Sequence, residues 1–348
     1  MTATETDTNV NTTIKKRSVK RGPRFLFLID VLFLVAVACI SGWSGWEAVS
    51  VYGEELSLSS QSHLFGLRPS VLFAAGLGLG RVDCRDGEFP ELEAFMERKI
   101  TSIPRSAYPE SGGEAYGRNF HFYFHYYLIA YMGWMFRIFG VSVQTIHLAC
   151  VVMHVVSMLF LYLLLRLVMG RLLSLAGTAY VATMPAFLVV LPDFRDYGKV
   201  PFFLAVLLLM GCILKRARSP RRQMLFACVL GAVIGVGYGF RQDLLICMPL
   251  SILLLLFGAP IDSSRPRRWQ VAVTLTAVAA FALTAAPVFK GRQESGGFVM
   301  AHTLLQGMTS SVEGEVHFGG ADYDFGFLGL DTPVIASVNA YVLRTGRP

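Results

Sequence analysis

Apolar runs long enough to cross a bilayer recur along this chain, and short basic segments separate several of them. In hydrocarbon every backbone N–H and C=O must be satisfied within the protein, so such runs are confined to helices at about 1.5 Å per residue. The runs cover residues 25–43, 120–139, 143–167, 172–191, 200–214, 224–240, 244–260 and 271–289. With 54% hydrophobic and 16% charged residues among 348, the composition agrees with them. The expected fold class is an all-α polytopic membrane protein.

Orientation follows from the bases. Lys15, Lys16, Arg17, Lys20, Arg21 and Arg24 precede the first run; Arg166 with Arg171, then Lys215, Arg216, Arg218, Arg221 and Arg222, then Arg265, Arg267 and Arg268 lie between later ones. Cytoplasmic loops collect such residues, so the net charge of +7 reports membrane orientation and a nucleic-acid partner is not expected. If 120–139 crossed the membrane, the Lys215 to Arg222 cluster would fall outside. Laid in the outer interface instead, where its aromatic residues are favoured, it leaves all the basic segments inside. About seven spans result.

The domain reading is a disordered basic cytoplasmic tail over 1–24, a transmembrane module over 25–290 and an extracytoplasmic segment over 291–348. Within the module, 46–118 is a long, partly folded extracytoplasmic loop and 120–139 an interfacial helix. In that loop residues 68–75 read as a strand entering a turn at Gly76, Gly78 and Gly80, followed by a short helix over 91–99. The glycines lack the spacing of a nucleotide-binding loop. Ala36-Val37-Ala38-Cys39 resembles a lipoprotein cleavage box, but the long apolar run and the spans after it favour an uncleaved helix. Five of the six cysteines fall in apolar runs, which supports neither a disulfide framework nor a cysteine metal site.

With this orientation Glu54, Glu55, Asp193, Arg195, Asp196, Lys199, Arg241 and Asp243 all lie on outer turns. Converging cations and carboxylates suit a reaction on a lipid-linked substrate: cations hold a departing phosphate, and a carboxylate takes the proton of an attacking hydroxyl. Each group also has a structural account. Asp196 can cap a helix starting near Gly198, Asp193 and Arg195 can pair, Lys199 can reach head groups, and Arg241 with Asp243 can close a turn. Asp30, inside the first run, can snorkel or bond a neighbouring helix. His121 and His125 sit one turn apart and are read as interfacial, while His147 and His154 share a face of one span as packing groups. Gly231, Gly235 and Gly239 repeat every four residues, which lets another helix approach closely.

The order of these parts resembles the GT-C superfamily of membrane glycosyltransferases, the class of protein O-mannosyltransferases and aminoarabinose transferases. The likeness rests on architecture over 25–290 and on short patterns: Tyr126-Tyr127-Leu128 with Phe139-Gly140 before a span, Arg166 with Gly170-Arg171 between two spans, and Pro185 near the end of the second. The resemblance implies an inverting transfer from a polyprenyl-phosphate sugar donor to a lipid, glycan or protein acceptor outside a bacterial cytoplasmic membrane. It places the catalytic base at Glu54 or Glu55, with Asp83 and Asp86 further along the same loop, and a second acidic position at Asp193 or Asp196. Arg195, Lys199 and Arg241 become donor-phosphate contacts. Some members use a divalent metal and others none, and this sequence does not choose. The segment 291–348, with His302, Gln306, Tyr323, Asp324 and Asp331, is expected to help bind an acceptor or to begin a longer region. The rival functions are a transporter or flippase of lipid-linked saccharide, whose charges would sit at mid-membrane, and a non-catalytic membrane subunit, whose outer charges would tolerate substitution.

Overall fold

In a computed structural model, residues 23–56, 61–80, 87–109, 125–216, 219–258 and 267–294 are described; the side chains of 23–27, 53–56, 61–66, 216, 267 and 291–294 lie outside that description. The expectations for Asp83, Asp86, His121 and the segment 295–348 also fall outside it. The described chain is almost wholly helical: α1 (Pro23–Leu56), α2 (Gln61–Ala74), α3 (Pro90–Met96), α4 (Tyr126–Phe139), α5 (Val143–Leu165), α6 (Arg171–Ala182), α7 (Pro185–Leu188), α8 (Phe194–Tyr197), α9 (Val200–Arg216), α10 (Pro220–Tyr238), α11 (Cys247–Leu253) and α12 (Arg267–Glu294). One small antiparallel ladder pairs β1 (Ser102–Ile103) with β2 (Val141–Ser142) and so ties the first loop to the start of α5.

Side-chain bonds fix which helix ends lie together. Asp30 on α1 accepts from Arg171 at the start of α6 at 2.6 and 2.9 Å, so it bonds a neighbouring helix. Lys215, in the last turn of α9, donates to the Leu167 carbonyl just past α5 at 2.9 Å. Trp269 of α12 donates to Gln223 of α10 at 3.0 Å. Arg166, Arg171, Lys215, Arg221, Arg222 and Arg268 therefore gather at one end of the bundle, where Asp30 is the carboxylate partner of Arg166 and Arg171.

Helix α4 lies at the opposite end. The Tyr127 amide donates to the Gly239 carbonyl past α10 at 3.0 Å, His125 Nδ1 donates to the Phe240 carbonyl at 2.9 Å, and Gly140 leads directly into β2 and α5. Both termini of α4 thus meet helix ends on the side away from the arginines. A 14-residue helix is about 21 Å long, enough to join those ends along one face of the bundle.

The chain is mostly helical, as an all-α membrane protein is, and of the seven spans expected four stand out by length and apolarity among the described residues. Four helical stretches are long and apolar enough to cross among the described residues: Leu28–Tyr52, Val143–Leu165, Phe194–Lys215 and Arg268–Lys290. The run at 172–191 is broken, because α6 stops after 12 residues at Thr183 and Pro185 has no N–H for the Val181 carbonyl, which takes the Met184 amide at 3.2 Å instead. After Arg241 the backbone passes through a 3-10 turn (Gln242–Ile246), α11 and a π turn (Leu254–Gly258), a shorter apolar stretch. Helix α10 spans 19 residues but opens on Pro220, Arg221 and Arg222.

Residues 68–74 are helical, not a strand. A short apolar run does not reveal its period, and here Leu67, Val71 and Leu72 are buried on one helical face with Pro69 inside the helix. The turn that follows is as expected, with Gly76 and Gly78 at φ +89° and +95°, in the left-handed region. One apolar cluster joins this loop to the bundle through Leu67, Leu72, Phe95, Leu128, Phe136, Tyr197 and Phe240. A second holds α10 against α12 through Leu230, Ile234, Tyr238, Ala277 and Phe281. At Gly231 and Gly235 an added Cβ would fall 2.0 Å from Ala277 O and from Thr284 Oγ1, so these two glycines are what permits the approach.

Candidate active site

The turn from Leu191 to Lys199 is seated by its apolar residues, with Leu191, Phe194 and Tyr197 buried in the first cluster. That burial turns the intervening polar residues toward the end of the bundle where α10 gives way to Phe240 and Arg241. Asp193 caps the turn: its Oδ1 accepts from the Asp196 amide at 3.1 Å. The expected cap, Asp196 on a helix near Gly198, is corrected; Asp196 lies in the first turn of α8, which leaves its carboxylate available to pair.

Arg241 forms an ion pair with Asp196, and its Nε lies 3.4 Å from Asp243 Oδ2. Lys199 Nζ donates to the same Asp243 oxygen at 3.1 Å. The turns at Asp193–Lys199 and Arg241–Asp243, separated by α9 and α10, thus form one network of three carboxylates and three cations. Arg195 completes it: the charges of Arg241, Asp196, Asp193 and Asp243 act on this side chain, and its Nε is buried without a hydrogen-bond acceptor. Partial burial pushes the Asp243 carboxyl up, but the Lys199 hydrogen bond and the Arg241 charge outweigh this and hold it below the ordinary carboxylate value.

Beside the network is an open groove of about 720 Å³, lined by Lys199, Gln242 and Asp243 at its polar edge and by Phe203, Leu245 and Ile246 on its apolar wall. Glu54 and Glu55 occupy the last turn of α1, beyond the apolar part of that helix, and the placement of their side chains lies outside the description. Among the described residues no three His, Cys, Asp or Glu side chains gather in a way that could hold a metal ion.

Two relationships were not legible in the sequence. Lys199 with Asp243 and Asp196 with Arg241 are more than forty positions apart, and only the antiparallel passage of α9 and α10 brings them together. Beneath the turn, His154 of α5 meets the Tyr197 hydroxyl at 2.6 Å; sharing a face with His147 marked His154 as a packing group but did not name its partner.

Residues 124–289, from just before α4 to the later part of α12, match the family model of dolichyl-phosphate-mannose-protein mannosyltransferases. This segment is of the GT-C glycosyltransferase type. The GT-C segment contains Tyr126-Tyr127-Leu128, Gly170-Arg171 and Pro185, and it contains the whole network from Asp193 to Asp243, whereas Glu54 and Glu55 precede it. No curated protein and no solved structure gives a match. The family match over that segment and the apolar helices support a membrane glycosyltransferase of GT-C type.

Proposed function

We propose that this protein transfers a sugar from a polyprenyl-phosphate donor to a hydroxyl on an extracytoplasmic lipid, glycan or protein acceptor, with inversion at the anomeric carbon. The observation that carries the reading is the family match over the segment that holds the charged network. In the reaction the acceptor oxygen forms a bond to the anomeric carbon as the bond from that carbon to the phosphate oxygen breaks. The hydroxyl proton goes to Glu54 or Glu55, and polyprenyl phosphate departs with the bonding pair.

Arg195 is suited to the leaving phosphate, since its buried Nε–H lacks an acceptor. Lys199 and Arg241 are already paired with carboxylates, so they hold an arriving phosphate by exchanging part of that pairing for it. The adjoining groove, polar at its edge and apolar along its wall, suits a ligand with a charged head and a hydrocarbon tail. Asp193, by capping the turn, keeps Arg195 and Asp196 in place. The arginine-rich end of the bundle faces the cytoplasm by the positive-inside rule, which puts the network and α4 at the outer boundary of a bacterial cytoplasmic membrane.

The test is transfer from a labelled polyprenyl-phosphate sugar by reconstituted protein, comparing wild type with Glu54→Gln, Glu55→Gln and Asp193→Asn. Loss of transfer in one glutamate variant is expected. Transfer indifferent to all three would remove the assigned carboxylates, and no transfer with any donor would remove the enzyme reading.

A further inference from the structure

His154 is fully buried in the middle of α5, and both of its ring nitrogens are engaged. Nε2 lies 3.3 Å from the Ala182 carbonyl, at the break that ends α6. A carbonyl can only accept, so Nε2 carries the proton and Nδ1 accepts the Tyr197 hydroxyl at 2.6 Å. Ser44 of α1 donates to the same Ala182 carbonyl at 2.9 Å, and α1 passes over the ring so closely that a Cβ on Gly45 would sit 3.1 Å from His154 Cδ2. One imidazole therefore holds both ends of the irregular stretch between α6 and α8.

We propose that His154 is a positioning residue of the candidate site, holding through Tyr197 the turn that carries Arg195 and Asp196. The inference rests on the transferase reading for its catalytic consequence. Helix α8 is a single turn and cannot hold itself in place by its own hydrogen bonds, which run from the Tyr197 amide to Asp193 O at 2.8 Å and from the Gly198 amide to Phe194 O at 3.0 Å. Tyr197 is buried in the bundle, where Phe187 packs edge-on against its ring and the Ser157 hydroxyl also approaches its oxygen. Asp196 precedes it and Arg195 is one residue further back, so a shift of the tyrosine moves both charged groups. The geometry of a departing phosphate tolerates little such movement.

The two nitrogens can be tested separately. Asparagine at 154 places an acceptor near the Nδ1 position and keeps the Tyr197 bond; glutamine reaches the Nε2 position and keeps the Ala182 bond. In membrane-reconstituted full-length protein, Tyr197→Phe and His154→Gln are expected to speed amide exchange across 194–198 about tenfold and to lower kcat on the order of tenfold to a hundredfold. His154→Asn stays close to wild type in both readouts. The loss falls mainly on kcat, because charge on the leaving phosphate develops in the transition state. Equal behaviour of the Asn and Gln variants, or unchanged exchange in Tyr197→Phe, overturns the proposal. A wild-type protein inert toward every donor overturns the transferase reading and the catalytic part of this one, and amide exchange still decides the clamp by itself.

Discussion

Asp30 on the first helix and Arg171 at the start of the sixth meet side by side, Nε to Oδ1 at 2.6 Å and a terminal guanidinium nitrogen to Oδ2 at 2.9 Å. Arg166 stands 3.8 Å from the same carboxylate, so a single acidic group serves the two arginines that bracket the α5–α6 connection. Without Asp30 both would lose the carboxylate they share. Asp30→Asn is therefore expected to lower the melting temperature in detergent. Arg171→Lys recovers only part of the loss relative to Arg171→Gln, since an ammonium cannot make the paired contact. An unchanged melting temperature in all three variants would contradict this role.

The α10–α12 contact predicts a graded response to a single methyl group. Gly231→Ala or Gly235→Ala drives a Cβ into Ala277 O or Thr284 Oγ1 and is expected to cost about 1–3 kcal/mol, and more where the helices cannot separate. Gly170→Ala meets nothing within 4 Å at a backbone φ of −67° and is expected to be near neutral. Unfolding measured in mixed micelles ranks the three.

The proposed donor-phosphate contacts predict a pattern in the kinetics. Arg195→Gln, Lys199→Gln and Arg241→Gln each remove a charge-assisted contact of about 1.5–3 kcal/mol, or roughly tenfold to a hundredfold in kcat/KM for the polyprenyl-phosphate donor. Lys215→Gln, at the far end of the bundle, leaves transfer unchanged. Equal effects at Lys215 and Arg195 would show that general surface charge, and not the network, governs donor use.

Asp243 gives the network a pH signature. Its carboxyl is held below the ordinary value of about 3.9, so its pairing with Lys199 and Arg241 is fully present above that value and is lost as pH falls through the lowered one. The expected result is a stability that declines on acidification in the wild type, with a shallower slope in Asp243→Asn. Identical slopes would mean that the carboxyl is not held by these cations.

Orientation is tested with a reporter fused after Arg218, which is expected to report the cytoplasmic side together with one on the N-terminal tail. An outside signal after Arg218 would mean that the α4 segment crosses the membrane.

The membrane class was legible because hydrophobicity is summed over a whole run and survives any error in its limits. The basic segments were equally legible, and the described ones are gathered at one end because Asp30, Leu167 and Gln223 tie the helix ends there together. Periodicity failed where runs were short: residues 68–74 carry Val71 and Phe73, good strand formers, yet fold as a helix because their neighbours bury a helical face. It also failed at 172–191, where a continuous apolar run concealed the end of a helix at Ala182, shortly before Pro185.

The stretch from Leu191 to Lys199 could be picked out from its sequence alone, since so many ionisable groups beside apolar runs require partners. Which partners they take was decided by tertiary structure. Local spacing permits Arg241 to close its own turn onto Asp243, as it does, and permits Asp196 to cap, as it does not; α9 and α10 carry the two turns to the same end of the bundle, where Asp196 also meets Arg241 and Asp243 also meets Lys199. Composition and charge order determine that this chain enters a membrane and how its basic segments are arranged. The pairings within the site belong to helix packing, because an ion pair depends on distances that sequence separation does not encode.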